Sequence, residues 1–368
     1  MKRVFSLLML IVVLLTGCGR PEAEPATQPP TETAAATTAP TTEPPTEPPT
    51  EPPTEPPTEP APVYYNPLTG EEMEEPQDKR IFAVSINNLK AALPHYNVRQ
   101  ADIFMEMFVN GSIIRGLALF ADPTGVEAIG SVRSTRFMFS DIALHYDAVI
   151  VHAGGDKKVL RDASARGVDS FNIDTWDSTA WSFRDKERMK TGITWEHSLF
   201  ARGEGLYDRA IEKEIDISQD PEKDYGLSFV RCGIPKDGEA ANKISVTFTS
   251  FGRKESSMVY DPELERYLYY QYDQMMLDGL TGYPESFQNV IIMLADIHMN
   301  QYGYHVADFN AGGTGYFACG GKLIPIVWTC DGQDQPFRFF TEAGEVLNLQ
   351  VGNTYIAIAP KESPVTWE

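Results

Sequence analysis

Arg133 and Arg136 lie three residues apart in Gly130-Ser131-Val132-Arg133-Ser134-Thr135-Arg136, directly before a stretch with helical periodicity. A guanidinium presents a planar fork of donors that pairs bidentately with phosphate or carboxylate, and the backbone N–H groups of a first helical turn add to such a site. Cations there oppose the helix dipole at a cost of up to about 1 kcal/mol each, which is tolerable where they hold an anion. The other reading is internal pairing with Asp102, Glu106 or Asp141. A second segment, His152-Ala153-Gly154-Gly155-Asp156, ends an apolar run, and its glycines either let backbone approach a ligand or simply make a turn. In a third, Phe183-Arg184-Asp185 precedes Trp195-Glu196-His197-Ser198. His197 beside Glu196, with Asp185 upstream, has the parts of a general base and its orienting carboxylate, and it also reads as a structural or ligand-contacting histidine. The catalytic candidates are thus His197, Asp185, His152 and Glu106. Arg133, Arg136, Arg184 and Arg115 are the anion-binding candidates, and Gly154, Gly155 and Asp156 the ligand loop.

These residues need elements to hold them. Asn110-Gly111 predicts a type I′ hairpin that pairs Phe108 with Ile113 and Met107 with Ile114, standing Glu106 opposite Arg115 as a local ion pair. Buried strands are expected over 81–87 and 148–152, with a helix over 134–146 between them. A further helix over 157–166 has Asp156 as N-cap and Gly167 beyond its end. From 241 to 360 the pattern alternates with period two: Ile244, Val246 and Phe248 oppose Ser245, Thr247 and Thr249, and Gly320-Gly321 closes a hairpin. The expected fold class is α+β, an α/β layered N-terminal domain over 63–225 followed by a β-rich C-terminal domain over 226–368. Tyr267, Tyr269 and Tyr270 either face a glycan or pack between sheets. Asp296 and His298 share a strand face without a third ligand, so no metal site is expected. Gly312-Gly313-Thr314-Gly315 lacks the helix and Lys-Ser/Thr of a phosphate loop, and no cofactor is expected.

The N-terminus carries an address. Lys2 and Arg3 precede an apolar run of about a dozen residues, too short for the roughly 20 that span a bilayer, and Leu15-Thr16-Gly17-Cys18 closes it as a lipobox. Residues 1–18 therefore read as a lipoprotein signal peptide, with Cys18 left to carry acyl chains such as palmitate. Residues 19–62 are Pro, Thr, Glu and Ala with tandem Thr-Glu-Pro-Pro, a disordered stalk that cannot bury a core. The implied location is the outer face of the cytoplasmic membrane, with a cell-wall polymer or envelope protein as partner. A net charge of −21 disfavours nucleic acid. Cys232, Cys319 and Cys330 lack the close spacing of a zinc site and read as reduced thiols.

After the stalk the chain resembles the YerB-like bacterial lipoproteins, Gram-positive membrane-attached proteins defined by a domain of unknown function. The resemblance rests on Asn66-Pro67-Leu68-Thr69-Gly70, Ser85-Ile86-Asn87-Asn88, Gln100-Ala101-Asp102-Ile103 with Glu106, Gly111 with Arg115, and Val132-Arg133-Ser134 with Arg136. His152-Ala153-Gly154-Gly155, Phe183-Arg184-Asp185, His197 and the terminal stretch with Gly321-Lys322, Trp328, Gly344 and Gly352 extend it. It implies an extracytoplasmic lipoprotein of two domains and no established reaction. On this basis the chain is expected to be a tethered binding or interaction module with an arginine-lined anion pocket. The alternative is an enzyme acting on a phosphorylated or carboxylated wall polymer.

Overall fold

The structure, a computed structural model, describes residues 62–368; Cys18 and stalk residues 19–61 lie outside the described residues. The apolar runs of the first region form β1 (Phe82–Ile86), β2 (Ile103–Asn110), β3 (Ile113–Phe120), β4 (Val149–His152) and β5 (Ser170–Asn172). The helices are α1 (Phe137–Tyr146), α2 (Lys157–Ala165), α3 (Lys186–Lys190) and α4 (Leu206–Glu212). The period-two region supplies β6 (Lys243–Phe248), β7 (Lys254–Asp261), β8 (Arg266–Gln271) and β9 (Asn289–Ala295). It continues with β10 (Gly313–Cys319), β11 (Lys322–Thr329) and β12 (Thr354–Pro360). No helix among the described residues is long and apolar enough to cross a membrane.

The expected division into an α/β half and a β-rich half does not describe the hydrogen bonding. One eleven-stranded sheet runs β11-β10-β9-β12-β2-β3-β1-β4-β5 through both regions, with Glu239–Ala240 and Arg338–Thr341 pairing β11. Its centre is the parallel pairing of β12 with β9 on one side and β2 on the other. A second sheet of six strands is built around β6, β7 and β8. The two faces of the large sheet are buried differently, because side chains alternate. Phe104, Phe108, Ala118 and Tyr355 meet Val246, Phe248, Met258, Tyr267 and Tyr269 of the second sheet. Met105, Met107, Leu117 and Ile356 share a cluster with Met138, Phe139, Ile142 and Tyr146 of α1. Tyr267 and Tyr269 are thus between sheets rather than open to a glycan. Cys232, Cys319 and Cys330 are free thiols.

The β2–β3 hairpin departs from the expected register. Only Gly111 of the Asn110-Gly111 pair has positive φ, so the turn centres one residue later on Gly111-Ser112, with Asn110 opposite Ile113. A bulge between Phe108 and Asn110 then sets Met107 opposite Arg115 and Glu106 opposite Gly116. Glu106 and Arg115 therefore project from opposite faces, and the expected ion pair does not form. Gly116 is needed for close approach: a Cβ there would lie 2.4 Å from Phe104 Cε2 and 3.1 Å from Ile86 Cβ. Gly116→Val should accordingly destabilise by about 1–3 kcal/mol through overpacking, read as a lower denaturant midpoint at unchanged slope. An unchanged midpoint would show that Phe104 can move aside.

Candidate functional site

β1 and β4 end side by side in parallel, Phe82 paired with Val149 and Val84 with Val151. Segment 130–136 crosses their carboxyl ends in extended form. Arg133 N–H donates to the Ser85 carbonyl at 2.9 Å, Ala153 N–H to the Arg133 carbonyl at 2.9 Å, and Thr135 N–H to the Gly154 carbonyl at 3.2 Å. Backbone used this way cannot also be helical, so α1 begins at Phe137 with Arg136 as its extended N-cap. The two arginines thus do not sit on a first helical turn, as the periodicity predicted. They hang from a crossing segment over the ends of two parallel strands, where open α/β sheets place ligands.

Arg115 reaches the same place from β3. It is only 4 % exposed, and its Nη1 donates to the Ser134 carbonyl, which also accepts from Arg136 Nη1 and Ser85 Oγ, both at 3.3 Å. Arg136 donates further to the Thr135 carbonyl at 2.8 Å and Asn110 Oδ1 at 3.3 Å, and its guanidinium lies 5.6 Å from the Tyr304 ring centre. Among the described residues neither Arg115 nor Arg136 is ion-paired with a carboxylate. The acids expected to consume these arginines are engaged elsewhere. Asp141 pairs with Arg166 at 2.6 Å, Asp102 accepts from Ala121 N–H and Asn66, and Glu106 pairs with Lys254. Arg133 does find a partner, Glu196 Oε2 at 2.9 Å. Burial, then the neighbouring Arg136 and Arg133 charges, pull the Arg115 pKa down to about 8. Burial likewise lowers that of Arg136. A guanidinium in a protein keeps its proton, so burial leaves both charges in want of a negative partner.

The rim is partly neutralised. Arg184 pairs with Asp174, donates to the Trp195 carbonyl at 2.7 Å, and lies 3.8 Å over the Trp195 ring. Trp176, 79 % exposed, stacks on Trp195 at 4.5 Å. Asp156 caps α2 through Lys158 N–H at 2.8 Å and accepts from the Tyr304 hydroxyl at 3.1 Å. The Gly154 N–H donates to Asn172 Oδ1 at 3.0 Å, and a Cβ on Gly155 would meet Thr135 Cγ2 at 3.1 Å.

Neither candidate histidine hydrogen-bonds to a carboxylate. His152 Nδ1 is 2.8 Å from the Gly154 carbonyl, so it carries the proton, and burial pushes its pKa to about 4. His197 Nδ1 lies 2.7 Å from Asn87 Nδ2 and accepts from it, which leaves the Nε2 proton facing Glu196 Oε1 at 3.7 Å. Burial, reinforced by Arg133 and Arg188, lowers the His197 pKa against the opposing pull of Glu196. Asp185, the upstream carboxylate offered as an orienter, is committed elsewhere: it caps α3 through Arg188 N–H at 2.9 Å and accepts from the Tyr96 hydroxyl at 2.8 Å. Nor does Glu106 join the arginines: it sits between the two sheets. Asn87, the group that fixes His197, was not among the expected site residues. Its signal was two adjacent amides, Asn87-Asn88, ending an apolar strand.

Comparison with known proteins agrees with the fold. The putative lipoprotein YerB of Bacillus subtilis (strain 168) is 27 % identical over 304 residues, covering 80 % of this chain and 86 % of that protein. The crystal structure of YerB protein from Bacillus subtilis superposes with a TM-score of 0.70 at 24 % identity, covering 82 % of this chain and 99 % of that one. Residues 68–216 match the N-terminal domain, and residues 244–356 the C-terminal domain, of a protein family of unknown function, DUF3048. With both domains present in order across most of its described length, the chain belongs to the DUF3048 family.

Proposed function

We propose that this chain is a lipid-anchored module on the outer face of the cytoplasmic membrane that binds a phosphorylated or carboxylated envelope polymer through Arg115, Arg133 and Arg136. Cys18 would carry the anchor, residues 19–62 the spacing and residues 63–225 the arginines, while residues 226–368 would complete the shared sheet that braces them. One observation carries the binding reading. A chain of net charge −21 places two buried or half-buried guanidiniums beside a third without giving either a carboxylate. An acidic protein has ample carboxylates to neutralise them internally, so leaving them bare favours an anion from outside. The exposed Trp176 on Trp195, beside Arg184, offers a flat apolar face of the kind that stacks on a sugar ring next to its charged group. Binding is favoured over catalysis because His152 and His197 hydrogen-bond to a carbonyl and an amide rather than to carboxylates that would orient them as bases.

Arg115→Met separates this reading from a structural arginine. Removing an unpaired buried charge should raise the stability of the ligand-free protein by on the order of 1 kcal/mol, while abolishing stabilisation by inorganic phosphate or glucuronate. In the parent, ligand at about one hundred times its dissociation constant should add about 2.7 kcal/mol. Thermal unfolding of the detergent-solubilised full chain, with and without each ion, decides it. If phosphate and glucuronate leave the parent unshifted, or shift the variant equally, the arginine pocket is not an anion site.

A further inference from the structure

Between the two sheets lies a second cluster that the arginine pocket does not use. Glu106 is fully buried, and its Oε1 accepts from Asn88 Nδ2 at 2.6 Å and from Lys254 Nζ. Its Oε2 accepts from Ser256 Oγ at 2.7 Å and from the Tyr355 hydroxyl at 2.5 Å. One carboxylate oxygen thus holds an amine and a carboxamide nitrogen side by side, while two hydroxyls fix the other oxygen.

We propose that Lys254 and Asn88 are joined by an intramolecular isopeptide bond, formed with Glu106 as the proton carrier. Three features of the cluster suit this chemistry. The amine must be neutral to attack: burial drives the Lys254 pKa well below its ordinary value, and Nζ sits on Glu106 Oε1, an oxygen placed to accept its proton. The acceptor carbonyl must be free to develop negative charge, and Asn88 Oδ1 has no partner. The buried Tyr269 hydroxyl, also unpartnered, lies against Asn88 and Ser256 and is a polar group beside the acceptor amide with its own proton uncommitted. The Nζ lone pair attacks Asn88 Cγ to give a tetrahedral carbon, and the nitrogen's surplus proton passes through the Glu106 carboxylate to Nδ2. The Cγ–Nδ2 bond then breaks, and ammonia leaves. The products are one secondary amide and one ammonia, Glu106 is regenerated, and no oxidant or cofactor is required. Phe104 and Phe287 pack against Tyr269 and Tyr355 on the cluster's inner side, which limits the water that would compete for the acyl carbon there. Gln271 also has a buried, unpartnered amide, but its nitrogen is not on the Glu106 carboxylate, which makes Asn88 the acceptor.

The full chain, extracted in detergent and digested with trypsin after denaturation, tests this. The expected product is a branched peptide joining residues 81–90 to residues 254–266, lighter than the two together by one ammonia, uncleaved after Lys254, and with fragmentation placing the branch at Asn88. Glu106→Gln and Lys254→Met should each release residues 81–90 as a linear peptide. Linear 81–90 with cleavage after Lys254 in the parent protein would overturn the proposal. So would a link that has lost water instead, which would make Glu106 the acceptor, or a branch at Asn87 or Gln271. Because the parent digest decides alone, failure of either variant to accumulate leaves the test intact.

Discussion

Glu106→Leu is expected to lower the unfolding free energy by about 3–5 kcal/mol. In the unlinked cluster the carboxylate accepts from four buried donors at once, Asn88, Lys254, Ser256 and Tyr355, and leucine satisfies none of them and removes the proton carrier of the proposed link. Lys254 then keeps an amine in an apolar layer with no acceptor, which is costlier than losing a surface ion pair. Adding Lys254→Met to Glu106→Leu should recover part of the loss, because the stranded amine goes with it. Denaturant midpoints of the parent, single and double variants provide the measurement. A single variant within about 1 kcal/mol of the parent would mean that water or a neighbour reaches the orphaned donors.

The second large effect is acid sensitivity. His145 is packed against Phe337 at 4.6 Å and Phe309 at 5.8 Å, and burial pushes its pKa down to about 4, as it does for His152. In the unfolded chain both return to about 6.5, so between pH 6.5 and 4 the unfolded state binds more protons than the native state. Stability should therefore be fully present above pH 6.5 and fall as pH drops to 4, by up to about 3 kcal/mol per histidine. Asp102 works against this. Burial raises its pKa to about 6 from 3.8, so the native state holds that proton longer and acidification through the same window restores up to about 3 kcal/mol. The net expectation is a loss near that of one histidine. His145→Gln and His152→Gln should each flatten the slope of stability against pH, and parental slopes in both would remove the histidines as its source.

Residues near in sequence or patterned along an element were legible from the chain alone. The apolar runs at 81–87 and 148–152 became β1 and β4, Asp156 capped α2, and Cys319 met Lys322 across the Gly320-Gly321 turn. The hairpin failed by one residue because Asn-Gly specifies a turn only when both positions take positive φ, and here a bulge moved the turn onward. The helix start failed because local periodicity is blind to the backbone bonds that tie 133–135 to Ser85 and Gly154. The clustering of Arg115 with Arg133 and Arg136 was anticipated only as a set of candidates, since what unites them is the crossing of two strands. The partners that decide chemistry, Asn87 for His197 and Lys254 for Glu106, lie so far along the chain that only the folded sheet order brings them together.

The placement of β12 has a consequence for how the protein comes into being. The strand that completes the middle of the large sheet is made long after β2, and until Thr354–Pro360 arrives, β2 and β9 each present a bare row of amides and carbonyls. A nascent chain cannot close its early half and proceed; it must wait for β12, which makes assembly slow and non-local. A product that stops before Thr354 would carry two sticky edges in place of a core, an easy substrate for proteolysis, so the architecture itself inspects each copy for this strand.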